Sequence, residues 1–336
     1  MSEGSYRARV ISQSRDIYRI EGEAGELFAR VSGRMRYDSS GPMDFPTVGD
    51  YVEVDRYSQD EGDAVITGIL PRKSVFVRKA AGKSWEEQLV ASNIDTVFIC
   101  MSLNADFNLR RLERYLALAW ESGAVPVVVL TKLDLCQDLT DKLMAVEATA
   151  PGVDVLVTTS LEEDGYEELQ PYLKEGKTVA LIGSSGVGKS TLINRLTGKE
   201  FLATREIRED DRGRHTTTRR ELIRLENGCM LIDTPGMREL GMWDAQEGLG
   251  KTFSDVEQFL GKCRFADCTH TSEPGCAVYE AIREGKLSQR RWNDYRRLMN
   301  EEAYANERSG YLEQKKEKFK QIAKINKAAN RKNNSC

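Results

Sequence analysis

Apolar and polar positions give the chain three successive textures. Over residues 1–72 the β-rich stretches Tyr6–Ile11, Glu26–Val31, Val48–Val54 and Ala64–Ile69 are separated by Gly, Asp, Ser and Pro clusters, the pattern of short strands. Five short strands in about seventy residues suit a small barrel such as an OB-fold. From residue 73 strands and helices alternate. Thr96–Met101 reads as an apolar strand, and Asn108 as the cap of a helix with Leu112, Tyr115, Leu116 and Ala119 at helical spacing and Gly123 at its end. The strand Val125–Leu130, a helix near Asp141–Thr149 and the strand Val153–Thr158 follow. Thr178–Ile182 then leads into a glycine loop and the helix Lys189–Leu196, closed by Gly198. Glu221–Leu225 and Cys229–Asp233 flank Asn227-Gly228, a hairpin signal. This alternation predicts a mostly parallel sheet with helices on both faces. Beyond residue 250 the chain carries cysteines and then turns helical and basic.

Composition narrows the class. A length of 336 residues suggests two or three domains. With 40% apolar and 30% charged residues the chain is neither disordered nor collagen-like. Its apolar runs are strand-sized, so no membrane partner is expected. Met1–Val10 lacks a basic-then-apolar signal pattern, which predicts a cytoplasmic protein. Seven cysteines in a chain this long do not make a disulfide framework, but some can bind metal. Histidine occurs only at 215 and 270, so imidazole chemistry has two candidates.

The net charge of −4 hides an asymmetry: residues 283–336 carry 15 Lys and Arg against 7 Asp and Glu, leaving −12 on the remainder. A basic end on an acidic body suits a polyanionic partner, or equally a solvated, charge-rich helix. In residues 1–72 every basic residue is arginine, which favours bidentate phosphate contacts, but 13 acids oppose 9 arginines, so a purely structural barrel stays open.

Gly183-Ser184-Ser185-Gly186-Val187-Gly188-Lys189-Ser190 fits G-x-x-x-x-G-K-[ST] between an expected strand and helix, with Thr191 next. Glycines let backbone N–H groups close around phosphate, and the helix N-terminus adds its positive end. Lys189 is expected at the β- and γ-phosphates and Ser190 on Mg²⁺. Asp233-Thr234-Pro235-Gly236 follows the apolar Met230-Leu231-Ile232. Asp233 is placed to hold Mg²⁺ through water, and the Gly236 amide to sense the γ-phosphate. Thr131-Lys132-Leu133-Asp134 follows a strand, and its Asp134 carboxylate can accept two hydrogen bonds from the N–H edge of guanine, which adenine does not offer. The Lys132 stem would pack on the ring. Alone, the tetrapeptide also reads as a helix cap; beside a phosphate loop it selects GTP over ATP. Thr159 and Ser160, in Thr158-Thr159-Ser160 after the next strand, are candidates to back the base.

Ordinary GTPases place the phosphate loop first and the guanine-reading motif late. Here the order is TKLD, TTS, phosphate loop, His215–Thr218, then DTPG, a circular permutation of one active site. With a barrel before it and a cysteine cluster after it, the chain strongly resembles the ribosome small-subunit-dependent GTPases, the RsgA/YjeQ family. The resemblance runs over essentially the whole chain and includes Leu70-Pro71-Arg72-Lys73-Ser74 and Asn93-Ile94-Asp95. It implies a multidomain α/β protein: an OB-like barrel over 1–72, a circularly permuted GTPase domain over 73–245 and a zinc-binding helical domain with a basic tail over 246–336. The implied role is GTP hydrolysis during late maturation of the small ribosomal subunit, by a monomer that contacts rRNA and whose turnover the subunit stimulates. Two alternatives are a P-loop ATPase and an RNA-binding scaffold that keeps GTP as a structural ligand.

Cys263-x4-Cys268-x-His270-x5-Cys276 places three thiolates and an imidazole within 14 residues, a closed tetrahedral set suited to structural Zn²⁺. By spacing alone, buried cysteines near a surface histidine remain an alternative; in the family the pattern binds zinc. Cys100, Cys136 and Cys229 read as strand or core residues. The water-orienting glutamine that follows DxxG in many GTPases is Met237 here, which offers no useful hydrogen bond. The resemblance points instead to catalytic His215, in Arg212–Thr218, and Thr217 is expected on Mg²⁺; packing or RNA contact is the other reading of His215. The gly- and arginine-rich run Arg205–Arg220 has little apolar content to hold it, so slow intrinsic hydrolysis is expected until the subunit orders it.

Overall fold

The computed structural model describes residues 6–14, 16–58, 62–79, 87–162, 164–198, 220–233, 246–271, 273–301 and 303. They fall into two compact units, one running to Ser254 and the other made mainly of Asp255 onward.

The first unit opens with β1 (Tyr6–Ser14), β2 (Ile17–Gly22), β3 (Gly25–Val31), β4 (Tyr51–Val54) and β5 (Ala64–Ile69). Their order is β1-β2-β3-β5-β4, and β4 pairs back onto β1, closing a five-stranded barrel in which only β3 and β5 run parallel. Alternate residues fill it: Val10, Tyr18, Ile20, Leu27, Ala29, Val52 and Ile66 are buried together. Helix α1 (Gly33–Asp38) bridges β3 and β4, capped by Ser32, whose hydroxyl accepts from the Met35 amide. The strand expected from Val48 starts only at Tyr51. Residues 47–50 instead turn, because the Asp50 carboxylate accepts the Thr47 amide at 2.8 Å and Gly49 takes φ +95°.

A two-stranded ribbon, β6 (Val75–Lys79) and β7 (Glu87–Ser92), leads to the second sheet. It contains β8 (Thr96–Ser102), β9 (Val125–Thr131), β10 (Val155–Val157), β11 (Thr178–Ile182), β12 (Arg220–Arg224) and β13 (Met230–Asp233), in the order β10-β9-β8-β11-β13-β12. All neighbours are parallel except the β12–β13 hairpin. Helices α2 (Leu109–Glu121), α3 (Leu139–Thr149) and α4 (Lys189–Thr197) cover it. The Asn108 side chain accepts the Arg111 amide at the start of α2, and Leu112, Leu116 and Ala119 are buried as their spacing predicts. Strand β8 is buried on both faces: Val97, Ile99 and Met101 join Leu112 and Leu116, while Phe98 and Cys100 join Leu169 and Leu192.

The barrel and this sheet are one continuous hydrogen-bonded surface, because β1 also pairs with β12 through Ser12–Glu221 and Gln13–Arg220. A polar knot lies beneath the junction, built from the two tracts whose resemblance is noted above. Arg72 and Ser92 both donate to the fully buried Asp50, while the Lys73 amide donates to the Asn93 side chain and the Ser74 hydroxyl to Ile94 O. Arg9, also buried, donates to Thr178 Oγ1 at 2.6 Å and lies over the Tyr51 ring.

Helix α5 (Gln246–Thr252) sits at the end of the first unit, where the Gly248 amide donates to Glu121 Oε2 at 2.8 Å. The chain continues through α6 (Ser254–Glu257) and α7 (Ala277–Arg283) to a helical stretch over 289–301. In the second unit Arg291 pairs with Asp255 at 3.0 Å, and the Tyr295 hydroxyl donates to Glu257.

Candidate functional site

Strand β11 ends at Ile182, and the chain turns through Gly183–Gly188 into α4. At Gly183 (φ +146°) a Cβ would run into the carbonyl of Cys100 on β8, so the loop can lie this close to the sheet only with glycine there. Gly188, at φ +101°, caps α4 and aims its first N–H groups along the loop. Lys189 is buried in the first helical turn, and its ammonium donates to Gly183 O at 2.6 Å and Ser184 O at 2.5 Å. The charge is therefore fixed over the loop rather than free on a long stem. Ser190 and Thr191 follow in the same turn.

The base-reading candidates come from the neighbouring strands. Thr131 closes β9 and donates to Val187 O at 2.6 Å, while Lys132, in the left-handed region at φ 60°, donates to Gly186 O at 2.7 Å. Asp134 lies exposed in the short 3-10 turn Leu133–Leu135, and the Thr159 hydroxyl donates to its carboxylate at 3.1 Å. The Leu133 amide donates to Thr158 O, so the TKLD and TTS segments buttress one another. Ser160 follows Thr159 beside Tyr166. Three tracts distant in sequence thus share the carboxyl ends of β9, β10 and β11, where ligands bind in open α/β sheets. Asp233 closes β13, the parallel neighbour of β11, at the same end.

Two further residues reach the phosphate loop and were not among the candidates read from sequence. Asp106 and Arg111 form an ion pair at 2.9 Å in the β8–α2 region. The Ser184 hydroxyl donates to Asp106 at 2.7 Å and accepts from Arg111 at 2.8 Å. The Ser184 hydroxyl and the Arg111 guanidinium hold the Asp106 carboxyl below its usual range.

The RsgA GTPase family model matches residues 69–243. The chain is 50% identical over 314 residues to the small ribosomal subunit biogenesis GTPase RsgA 2 of Lactiplantibacillus plantarum, covering 93% of this chain and 88% of that protein. The chain belongs to the RsgA GTPase family. Another relative, the small ribosomal subunit biogenesis GTPase RsgA of Methanosarcina acetivorans, is 41% identical over 96% of this chain and 87% of its own. Among solved structures, YjeQ from Thermotoga maritima superposes with a TM-score of 0.67 at 27% identity, covering 88% of this chain and 98% of that one. YloQ, described as a circularly permuted GTPase, gives 0.63 at 26% identity, with 90% and 96% covered. Membership makes this chain a circularly permuted GTPase with GTP, GDP and Mg²⁺ as its ligands, in keeping with the motif order above.

In the second unit, Cys263, Cys268, His270 and Cys276 bring their ligand atoms within 4.8 Å of one another. Cys263 Sγ and Cys276 Sγ lie 3.3 and 3.6 Å from His270 Nδ1. Tetrahedral Zn–S and Zn–N bonds imply an S···N separation of about 3.6 Å, so the donor set fits a metal ion. His270 takes φ 59°, and Glu273 braces that bend by accepting from the Thr269 hydroxyl and from the Thr269 and Thr271 amides. The Trp292 ring packs edge-on against the imidazole at 5.6 Å. Outside the cluster, Cys100 and Cys229 are buried in the sheet, where desolvation pushes their thiols up to about 12 and about 11, and Cys136 is half-buried.

His215, Thr217, Gly236 and the Asp233 side chain lie outside the described residues. Among the described residues no helix is long and apolar enough to cross a membrane.

Proposed function

We propose that this chain is a cytoplasmic, monomeric GTPase that acts on the small ribosomal subunit during its late maturation, with the subunit stimulating turnover. The observation that carries the reading is the contact of Thr131 and Lys132 with the Gly183–Ser190 loop, with Asp134, two residues on, held by Thr159; it supports guanine recognition beside phosphate binding. The names of the relatives supply the subunit. The working parts are the barrel of 1–72, the GTPase domain of 73–245 and the zinc-bearing module with its basic tail over 246–336. The exposed barrel arginines, Arg7, Arg34 and Arg36 among them, and the basic tail are assigned to rRNA, whose phosphates suit guanidinium and ammonium groups.

In this mechanism the Asp134 carboxylate accepts the two guanine N–H groups, and Thr159 and Ser160 back the base. Backbone N–H groups of the loop and the α4 N-terminus hold the phosphates, with Lys189 at the β- and γ-oxygens. Ser190, Thr217 and Asp233 offer hard oxygen ligands that fit Mg²⁺, which when bound neutralises charge on the β- and γ-phosphate oxygens. The Gly236 amide senses the γ-phosphate. His215 holds the attacking water in line with it, a task Met237 cannot perform. Cys263, Cys268, His270 and Cys276 hold one structural Zn²⁺.

The test is multiple-turnover phosphate release by the purified chain, with and without small ribosomal subunits, under GTP and under competing ATP. Turnover that rises with subunits and resists ATP is expected. Unchanged turnover on subunits sinks the reading, and GTP that stays bound without being hydrolysed leaves the scaffold alternative standing.

A further inference from the structure

The loop from β8 to α2 is itself unusually well fixed. Asn104 accepts from the buried Ser102 hydroxyl and from the Asp106 amide, and Asn108 caps α2 through the Arg111 amide. Both ends of the Asp106–Arg111 pair therefore stand on a pinned backbone. The pair meets the phosphate loop at one atom, Ser184 Oγ, whose proton goes to Asp106 and whose lone pair takes the Arg111 Nη1–H. The carbonyl of the same Ser184 is one of the two that hold the Lys189 ammonium. Gly183, one residue before, presses on Cys100 O, so the loop touches β8 on its backbone side and the Asp106–Arg111 pair on its side-chain side.

We propose that Asp106 and Arg111 are positioning residues that latch the phosphate loop through the Ser184 hydroxyl and so set where Lys189 meets the phosphates. This rests on the guanine-nucleotide reading of the site and adds to it a prediction about retention. GDP and GTP both carry the β-phosphate that Lys189 meets, so retention of either nucleotide depends on the latch. The bonds involve ionised partners, the stronger class of hydrogen bond, and the Ser184 hydroxyl and Arg111 favour the charged carboxylate. Losing the latch lets the Ser184 peptide and the ammonium it holds wander, and bound nucleotide leaves faster.

The experiment measures dissociation of GDP carrying a fluorescent ribose substituent from the full-length chain. Asp106→Ala and Ser184→Ala are each expected to speed GDP release about tenfold, roughly 1.4 kcal/mol, with the affinity for GDP falling by the same factor. The double variant is expected to release no faster than either single, because both remove one latch. Asp106→Asn keeps an oxygen for the Ser184 hydroxyl and is expected to recover retention to within about threefold of wild type. Asp63→Ala, which breaks a similarly exposed pair with Arg30 in the barrel, is expected to leave release unchanged. Wild-type protein that fails to retain GDP overturns the nucleotide reading and the latch with it. Wild-type retention with unchanged release from either alanine variant overturns the latch alone. So do multiplicative effects in the double variant, or an asparagine variant no better than alanine.

Discussion

Replacing Asp50 by alanine strikes the one carboxylate on which the barrel junction converges. Asp50 is fully buried and accepts four hydrogen bonds: from Arg72 Nε at 2.8 Å, Arg72 Nη2 at 2.7 Å, Ser92 Oγ at 2.5 Å and the Thr47 amide at 2.8 Å. Truncation leaves the Arg72 guanidinium, whose side chain is only 13% exposed, with the Met43 and Phe45 carbonyls but no counter-charge. Removing one member of a buried ion pair costs about 3–5 kcal/mol, and the stranded Thr47 amide adds about 1 kcal/mol. That is a large part of the roughly 5–15 kcal/mol that separates folded from unfolded domains. Urea unfolding of the nucleotide-free chain, followed by circular dichroism, should show the first transition at much lower urea in Asp50→Ala. Adding Arg72→Ala removes the uncompensated charge, so the double variant should be no less stable than Asp50→Ala. A loss below about 1 kcal/mol, or a double variant that loses the full sum of both singles, would refute the idea that this pair carries the junction.

Three further outcomes follow from the geometry. Asp134→Asn replaces an acceptor of two guanine N–H groups by an amide, so GTP affinity should fall at least a hundredfold in competition binding, while xanthosine triphosphate, which offers a carbonyl at that edge, should gain. Purified protein should contain about one zinc per chain by atomic emission, and His270→Ala or Cys276→Ser should lower that content and raise the count of thiols open to a reagent. The Tyr172 hydroxyl donates to Asp154 at 2.6 Å, and burial with that carboxylate pushes it up to about 12. A folded value above the unfolded one, about 10, means its contribution is whole below pH 10 and lost as pH rises toward 12. Tyr172→Phe should therefore flatten the alkaline fall in melting temperature across that window.

What the sequence showed and what it hid divide along a physical line. The phosphate loop, TKLD and the cysteine cluster are local: each motif carries its residues within a few positions, and the strand or helix beside it is periodic enough to place. The barrel is legible from alternation, yet β2, with its Tyr18 and Ile20 inward and Arg19 and Glu21 between, is not among the four β-rich stretches of the sequence. Pattern reads Val48–Val54 as one strand, but β4 starts at Tyr51 because the Asp50–Thr47 hydrogen bond competes with extension, a contest that hydrophobic pattern does not register. Asp106 and Arg111 were invisible for a different reason. Their partner Ser184 lies more than seventy positions on, and a charged pair at the start of a helix looks like solvated surface until the fold brings the loop to it. The tracts Leu70–Ser74 and Asn93–Asp95 showed as family signatures without a role; the knot under the junction gives them one.

The double allegiance of β1 has a practical edge. Because Ser12 and Gln13 extend the ladder onto β12, cutting the barrel away after residue 72 strips a neighbour from an inner strand instead of trimming a tether. It also leaves Arg224 without Glu21 and Glu221 without Arg19. An excised GTPase half would expose fresh backbone donors and acceptors along β12, an invitation to dimerise or precipitate that the whole protein never issues. Low activity in such a fragment would then report a raw sheet edge, and a permuted or point-substituted full-length chain is the sounder tool for asking what the barrel contributes.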